Sequence, residues 1–252
     1  MSNKLFSAFL ATWLLGFAAC KKDSVPDTSM PAMEMPHNAT VRLQWSFLNI
    51  DHAYTLDTLL QDGAGHKVKL DTMRFFVSRT LTTNDEGDTV GHFENTAMLL
   101  DASVSNDFLL GSIYTSHIHT YRAQLGLVSD VNHALIDTTH APLNDHSMHW
   151  DQPTGYRFLV LTGRVDGNAD GVVDASDPAF SYSCGTDALL WHLSILVHHD
   201  FAEGETYTGT AYVNMASAFN GIDVLTTPNA TGAQPVNLHL VQNFAAAIYG
   251  VE

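Results

Sequence analysis

Histidine is unusually common in this sequence, with 14 histidines beside 11 Lys and Arg residues. His117 and His119 stand two residues apart on a predicted strand, so both side chains project to the same face. Two imidazoles on one face suit a single transition-metal ion, and residues 146–149 add imidazole and thioether donors on a predicted loop. The residues that we predict as transition-metal ligands are His117, His119, His146, Met148 and His149.

Any one of these histidines taken alone is better explained as an ordinary surface or core residue. Only their number, taken together, favours a metal centre. Two more histidines fall in the same central region, and three lie further along the chain, between Cys184 and Asp200. These additional histidines, which carry no assigned role, are His133, His140, His192, His198 and His199.

The most specific spacing in the chain belongs to an acidic loop, residues 166–177. Its oxygen-bearing side chains stand at positions 1, 3, 5, 9 and 12, Gly171 stands at position 6, and position 7 offers a backbone carbonyl. This is the spacing of an EF-hand calcium loop, with a final Asp as in dockerin loops. An acidic turn without metal is the alternative. The predicted calcium ligands, with a structural role, are Asp166, Asn168, Asp170, Val172, Asp174 and Asp177.

The N-terminus has the features of a bacterial lipoprotein signal. Residues 1–19 carry one charge, Lys4, ahead of an apolar run that is too short to span a bilayer comfortably. Small residues directly precede Cys20, which predicts cleavage before that cysteine and attachment of the protein to a membrane by an N-terminal lipid. Residues 21–23 are similar to the start of many Bacteroidota lipoproteins. The expected location is the cell envelope, on the periplasmic or surface face of the outer membrane. An ordinary signal peptide with an incidental cysteine is the alternative.

Composition excludes several classes of function. The 252 residues carry a formal charge of −16, and nucleic-acid binding requires a concentration of Lys and Arg that this chain lacks. Neither a zinc-protease HExxH motif nor a GxSxG nucleophile motif occurs, so we expect no catalytic residues and no enzyme.

If Cys20 is lipidated, Cys184 is the remaining thiol, either buried and inert or a soft metal ligand.

Hydrophobic periodicity predicts an all-β domain over residues 40–252. The segment 41–47 alternates apolar and polar residues, as a half-buried strand does, and similar short strands recur between turn signals. We therefore predict a mainly antiparallel β-sandwich with long loops. Apolar residues at 236, 240, 244 and 248 predict a C-terminal amphipathic helix. Residues 20–39 are polar and interrupted by prolines, which predicts a disordered tether.

Several stretches resemble the MbnP-like copper-binding family of exported proteins, in the family's order. These stretches are MRFFVS (73–78), LGLVSDVN (125–132), MHW (148–150), GYRF (155–158), FSYSCGTDAL (180–189), AFNGID (218–223) and NFA (243–245). The resemblance implies a mostly β domain that binds copper. It also implies, in some members, a dihaem peroxidase partner of the MbnH type that oxidises a tryptophan to kynurenine.

The departures from the family pattern put its usual copper site in doubt. Relatives often have a second tryptophan where this chain has Gln152, many have a histidine where it has Ser183, and a histidine of the first strand is replaced near Trp45. Copper would then depend on local histidines, namely the candidate ligands given above. Trp150 is the tryptophan that the resemblance marks for oxidation, although a core aromatic is the better explanation.

Two functions of different classes follow. The first is a lipid-anchored, calcium-stabilised protein of the cell envelope that binds or acquires copper, since imidazole and thioether ligands suit Cu(I) and Cu(II). The second is a calcium-stabilised surface module that binds glycan or peptide and has lost the copper site. Convergence of the histidines in three dimensions would favour the first, and an exposed row of aromatic side chains the second.

Overall fold

The computed structural model describes residues 35–93, 97–150 and 154–251. The predicted signal peptide, residues 20–34 of the predicted tether (including Cys20) and Gln152 lie outside the described residues.

The strands are β1 His37–Asn49, β2 His52–Ala53, β3 Leu60–Gln61, β4 Lys67–Thr83, β5 Thr89–His92, β6 Met98–Asp101, β7 Asn106–Thr115, β8 His117–Leu125, β9 Arg157–Val165, β10 Ala179–Gly185, β11 Trp191–Asp200, β12 Glu205–Asn214, β13 Asn229–Thr231 and β14 Ile248–Gly250. The α-helices are α1 Ser129–Asn132 and α2 Pro235–Ala247.

β1 forms because its apolar residues recur at every second position. Val41, Leu43, Trp45 and Phe47 are buried, and the residues between them are partly or fully exposed. The strand begins at His37, so the last three positions of the predicted tether lie within β1.

The strands form two sheets. In the first, β14, β12, β1 and β7 lie side by side, and β2 folds back on the end of β1. β1 runs parallel to β12 and antiparallel to β7. In the second, the order is β11, β8, β4, β9, β10 and β13, with β3, β5 and β6 also paired to β4. The two sheets confirm the predicted β-sandwich class.

The 17-residue strand β4 organises the second sheet. Its first half pairs with β9, and its last residues pair with β8 on one edge and β5 on the other. The start of β8 therefore lies beside the end of β4 and the turn into β5. This arrangement positions the side chains described below.

The core joins both sheets to the C-terminal helix. Phe75 of β4 makes edge-to-face contacts with Trp45 and Phe47 of β1, each at 6.4 Å between ring centroids, and with Phe244 of α2 at 5.9 Å. These distances lie in the favourable range for aromatic pairs. Helix α2 begins with Pro235 at its first turn, as helices often do, and ends before Ile248, which starts β14.

The structure adds strands that the sequence patterns had not indicated, chiefly β7 and β10. After β12 the chain makes a single 3-10 turn, Met215–Ser217. In the described part of the chain, no helix has the length and apolar character needed to cross a membrane.

Candidate functional site

His117 and His119 project to one side of β8, as their spacing predicts. Ile118 between them is fully buried, which places the two imidazoles on the opposite face from the core. β8 lies between β4 and β11, and β4 ends at Thr83, opposite Thr120. The two rings therefore lie between β11 and the turn that follows β4. The His117 side chain is 12% exposed and that of His119 is 32% exposed.

A β-bulge in β11 brings a third histidine to the same place. The register of β11 against β8 shifts between Leu196 and His199, so one extra residue of β11 is accommodated beside His119. Bulges of this kind redirect a side chain out of the regular alternation. The His198 ring lies 4.6 Å from that of His117 and 5.9 Å from that of His119, between centroids.

The tight turn between β4 and β5 supplies a carboxylate. The Asn84 side-chain oxygen accepts a hydrogen bond from the backbone N–H of Asp88 at 2.8 Å, which closes the turn. Asp85 follows Asn84, and its carboxylate oxygens lie 2.9 Å from Nδ1 of His119 and 3.4 Å from Nε2 of His117. The Asp85 side chain is 57% exposed, so this side of the cluster is open to solvent.

We call Asp85, His117, His119 and His198 the histidine centre. Their ligand atoms all lie within 4.8 Å of one another. Nε2 of His117 and Nδ1 of His119 are buried and make no hydrogen bond in the described structure, although the Asp85 oxygens are close. Asp85 is the charged group close to both nitrogens, and neither contact has the geometry of a hydrogen bond. A cation between the two imidazoles and the carboxylate would satisfy all of them, so the donor set fits a metal ion.

Asp200 fixes the orientation of the His117 ring. Its carboxylate lies 2.6 Å from Nδ1 of His117. This contact occupies Nδ1 and leaves Nε2 directed toward Asp85, in the manner of the outer carboxylates that orient metal-binding histidines.

The sequence predicted two of the four members of the histidine centre. His198 was one of several histidines without an assigned role, and Asp85 was not among the predicted ligands. At the histidine centre the pairing of β8 with β11 joins residues more than 70 positions apart, and a one-residue bulge decides where His198 points. The pairing of β8 with β4 positions the turn that carries Asp85. None of these features can be seen in the sequence pattern.

The other predicted transition-metal ligands lie elsewhere. His146 is exposed at the start of a 3-10 turn, and Met148 is 1% exposed in the core. The His149 ring packs edge-on against Tyr156, with 4.7 Å between centroids. In the part of the chain that the structure describes, neither His146 nor His149 joins a cluster of three metal-binding side chains.

A second cluster, Asp62, His66 and Asp223, also brings three ligand atoms within 4.8 Å. Burial opposes ionisation of Asp62, but hydrogen bonds from the His66 ring and from the backbone N–H groups of Val224, His66 and Ala64 outweigh it and hold the Asp62 pKa below its usual range. The contact with Asp62 raises the pKa of His66. Both oxygens of Asp62 already accept hydrogen bonds, and these bonds connect the turn at residues 62–66 to Val224. We therefore interpret this cluster as structural.

The predicted calcium loop connects β9 to β10, so it has no flanking helices. The Asp166 carboxylate accepts from the backbone N–H of Gly171 at 2.8 Å, and the Asp177 carboxylate accepts from that of Asp174 at 2.9 Å. Gly171, at the sixth position, has φ +85°, a conformation that favours glycine. Among the described residues, the carboxylates of this loop do not form a third cluster within 4.8 Å. The loop is closed by its own amides, and its calcium site stays a prediction.

Trp150 lies where two of the stretches that resemble the family, residues 148–150 and 180–189, come into contact. Its ring packs directly on Gly185, where an added Cβ would collide with it, and the Arg157 guanidinium lies 5.6 Å from the ring centroid. Cys184, next to Gly185, is fully buried, and burial raises the pKa of its thiol. The cysteine is therefore a core residue of low reactivity.

Comparison with known proteins identifies the family. The MbnP family model matches residues 38–237, which is most of the chain. The chain belongs to the MbnP family. Among solved structures, MbnP from Methylosinus trichosporium matches this MbnP family member with a TM-score of 0.51 and 12% sequence identity, over 78% of this chain and 81% of that one. At that identity the likeness concerns the fold. None of the curated protein sequences matches the chain.

Of the positions at which we expect this MbnP family member to depart from the family pattern, those in the described part of the chain lie outside both metal-ligand clusters. Trp45 and Phe47 are buried in the core, and the Ser183 carbonyl accepts a hydrogen bond from the Asn237 side chain at 3.1 Å. The clustered histidines of this MbnP family member lie instead on β8 and β11.

Proposed function

We propose that the protein is an exported, lipid-anchored protein of the cell envelope that binds copper at the histidine centre. One observation carries the proposal. Three imidazoles and a carboxylate converge within 4.8 Å, and two of the imidazole nitrogens are buried without a hydrogen-bond partner in the described structure. Membership of the MbnP family supports copper as the ion, because the family resemblance implies copper binding.

The chemistry of the donors agrees with this proposal. Imidazole nitrogen and carboxylate oxygen bind divalent ions of the first transition series, and among these copper binds most tightly in a given site. The formal charge of −16 raises the local concentration of cations around the protein.

The metal content of the purified protein tests the function. We expect the chain purified from the cell envelope, after dialysis, to retain about one copper ion, measured by elemental mass spectrometry. Haem absorbance in the same preparation would reveal the MbnH-type dihaem partner, and the mass of the peptide containing Trp150 would report its oxidation. Zinc in place of copper, or no transition metal, contradicts the copper proposal.

We also propose that the loop formed by residues 166–177 binds calcium and stabilises the domain. Its ligand spacing and the glycine at its sixth position support this role. Since calcium binds the folded state, Asp166→Ala combined with Asp170→Ala should lower the melting temperature measured in calcium. The change should also abolish the effect of EGTA on that temperature. Asp130→Ala, an exposed change outside the loop, serves as the control. If the melting temperature of the parent chain does not depend on calcium, the proposed calcium site is contradicted.

The lipid anchor has its own test. If Cys20 carries the lipid, Cys20→Ala removes the attachment point and the protein should move from the membrane fraction to the soluble envelope fraction. Fractionation followed by immunoblotting measures the change, with Cys184→Ala as a control that leaves the anchor intact. Continued membrane association of Cys20→Ala contradicts the anchor.

A calcium-stabilised glycan or peptide module is the second candidate. A cavity of about 770 Å³ between β4 and the segment after β8 favours it, with an apolar wall and Arg79 at its side. Its lining includes Phe93, Leu127, Pro142 and Leu143. Calcium without copper in the dialysed protein would favour this function over the first.

A further inference from the structure

We propose that residues 30–37 form a binding site for Cu(I) that supplies copper to the histidine centre. We call these residues the methionine segment, because Met30, Met33 and Met35 precede His37 in one short stretch. Met30 and Met33 lie outside the described residues, whereas Met35 and His37 lie within them. The inference rests on the proposed function, since the histidine centre is the destination of the ion.

Elsewhere in the protein, methionine is a core residue. The sequence has eight methionines, of which Met1 begins the predicted signal peptide and three belong to the methionine segment. The other four are no more than 2% exposed and pack in the core, namely Met73, Met98, Met148 and Met215. Met35 is instead 72% exposed. Packing explains the buried methionines, but it does not explain an exposed methionine in a polar stretch ahead of β1.

The donor atoms of the methionine segment suit Cu(I). Thioether sulfur is a soft ligand, and soft ligands select Cu(I), which imidazole also binds. The Glu203 carboxylate lies 3.5 Å from Nδ1 of His37. This contact orients the His37 ring and leaves Nε2 to bind the metal. The segment therefore offers three sulfur donors and one nitrogen donor.

The methionine segment enters the domain beside the histidine centre. His37, the first residue of β1, pairs with Thr115 of β7, and His117 follows two residues later. The loop between β11 and β12 donates backbone hydrogen bonds to the carbonyls of Asn38, at 2.7 Å, and Ser116, at 2.8 Å. Strand pairing and the two intervening residues place the Cα atoms of His37 and His117 within about 13 Å of each other.

Transfer of the ion to the histidine centre requires only an exchange of ligands. An extended chain covers at most about 3.6 Å per residue, so Met30 lies within about 25 Å of His37. The thioethers are replaced by imidazoles one at a time, while the ion stays Cu(I) and no electron moves. A short linker holds the ion near the centre at a roughly millimolar effective concentration. The segment is thus an entry site, and we expect dialysis to remove its copper but not that of the centre.

Anaerobic titration of the full chain with Cu(I), in competition with a chromogenic Cu(I) chelator, tests the binding site. We expect the parent to bind about two Cu(I) ions, and the variant that combines Met30→Leu, Met33→Leu and Met35→Leu to bind about one, because leucine retains the apolar side chain but lacks the sulfur. Met98→Leu, which removes a sulfur from the core, should leave the stoichiometry unchanged.

Two further measurements identify the ligands and the route. His117→Ala combined with His119→Ala, loaded with Cu(I) and not dialysed, should show sulfur scatterers in its copper X-ray absorption spectrum. In protein with the histidine centre intact, loading of the centre from micromolar Cu(I) should be at least tenfold slower in the triple-leucine variant, since the local supply is lost. The copper retained after dialysis should not change.

An unchanged Cu(I) stoichiometry in the triple-leucine variant would overturn the site in the methionine segment. Loss of one ion with an unchanged loading rate would overturn its role in supply. Both results leave the proposed function intact if the parent retains copper after dialysis. A parent chain that retains no copper contradicts the proposed function instead.

Discussion

Replacing both His117 and His119 by alanine should abolish stoichiometric copper binding. These residues supply the two buried nitrogens that face Asp85, and the remaining donors, His198 and Asp85, lie on exposed positions that cannot enclose an ion alone. Copper content after dialysis should fall from about one ion per chain to near zero. Elemental analysis of the parent and variant proteins, prepared side by side, measures this loss.

Two controls separate the histidine centre from histidine content in general. His192→Ala removes an exposed histidine from β11, the strand that carries His198, and should leave the copper content unchanged. His146→Ala and His149→Ala together remove the alternative ligands suggested by sequence. Retention of copper by the His117/His119 variant, with loss in the His146/His149 variant, would move the copper site to the loop before β9.

Phe75→Ala should be the most damaging single change in the core. The ring is fully buried and links Trp45 and Phe47 of one sheet to Phe244 of α2. Truncation of a buried phenylalanine costs about 3–5 kcal/mol, through lost burial and the cavity that remains. Urea unfolding followed by tryptophan fluorescence, at fixed calcium and copper concentrations, should show the midpoint fall while the slope is preserved.

Tyr114→Ala is the matched control for this prediction. Its aromatic ring is 63% exposed on β7, and exposed substitutions of this kind usually change stability by less than about 0.5 kcal/mol. Comparable losses for Phe75→Ala and Tyr114→Ala would mean that the two sheets do not depend on the contacts around Phe75.

Local patterns were sufficient to predict the fold class. The strict alternation in β1 and the apolar spacing in α2 are properties of neighbouring residues, so a single sequence reveals them. β7 was missed because Leu109 and Leu110 are adjacent and only one is buried, with a register shift and a positive-φ Gly111 nearby. Bulges break the period of two on which strand prediction depends.

The candidate site was only half predictable for a different reason. His117 and His119 share a face by spacing alone, which holds on any strand. Asp85 and His198 join them through the pairing of β4, β8 and β11 and through the bulge in β11. These pairings are tertiary, so spacing in the sequence carries no information about them. Sequence spacing alone also suggested metal ligands in residues 146–149, but the Met148 side chain is buried in the core.

The position of β1 has a mechanical consequence. Ten of its residues pair in parallel with β12, and its opposite edge pairs with β7, so the strand that follows the proposed anchor is held along both sides. Tension applied through the N-terminus would act along the axis of this strand and load many hydrogen bonds in shear at once. In a terminal hairpin pulled from its end, the hydrogen bonds would instead break one after another. The rate of unfolding under such a force should therefore be low, and the domain should stay folded when it is pulled through its proposed N-terminal anchor.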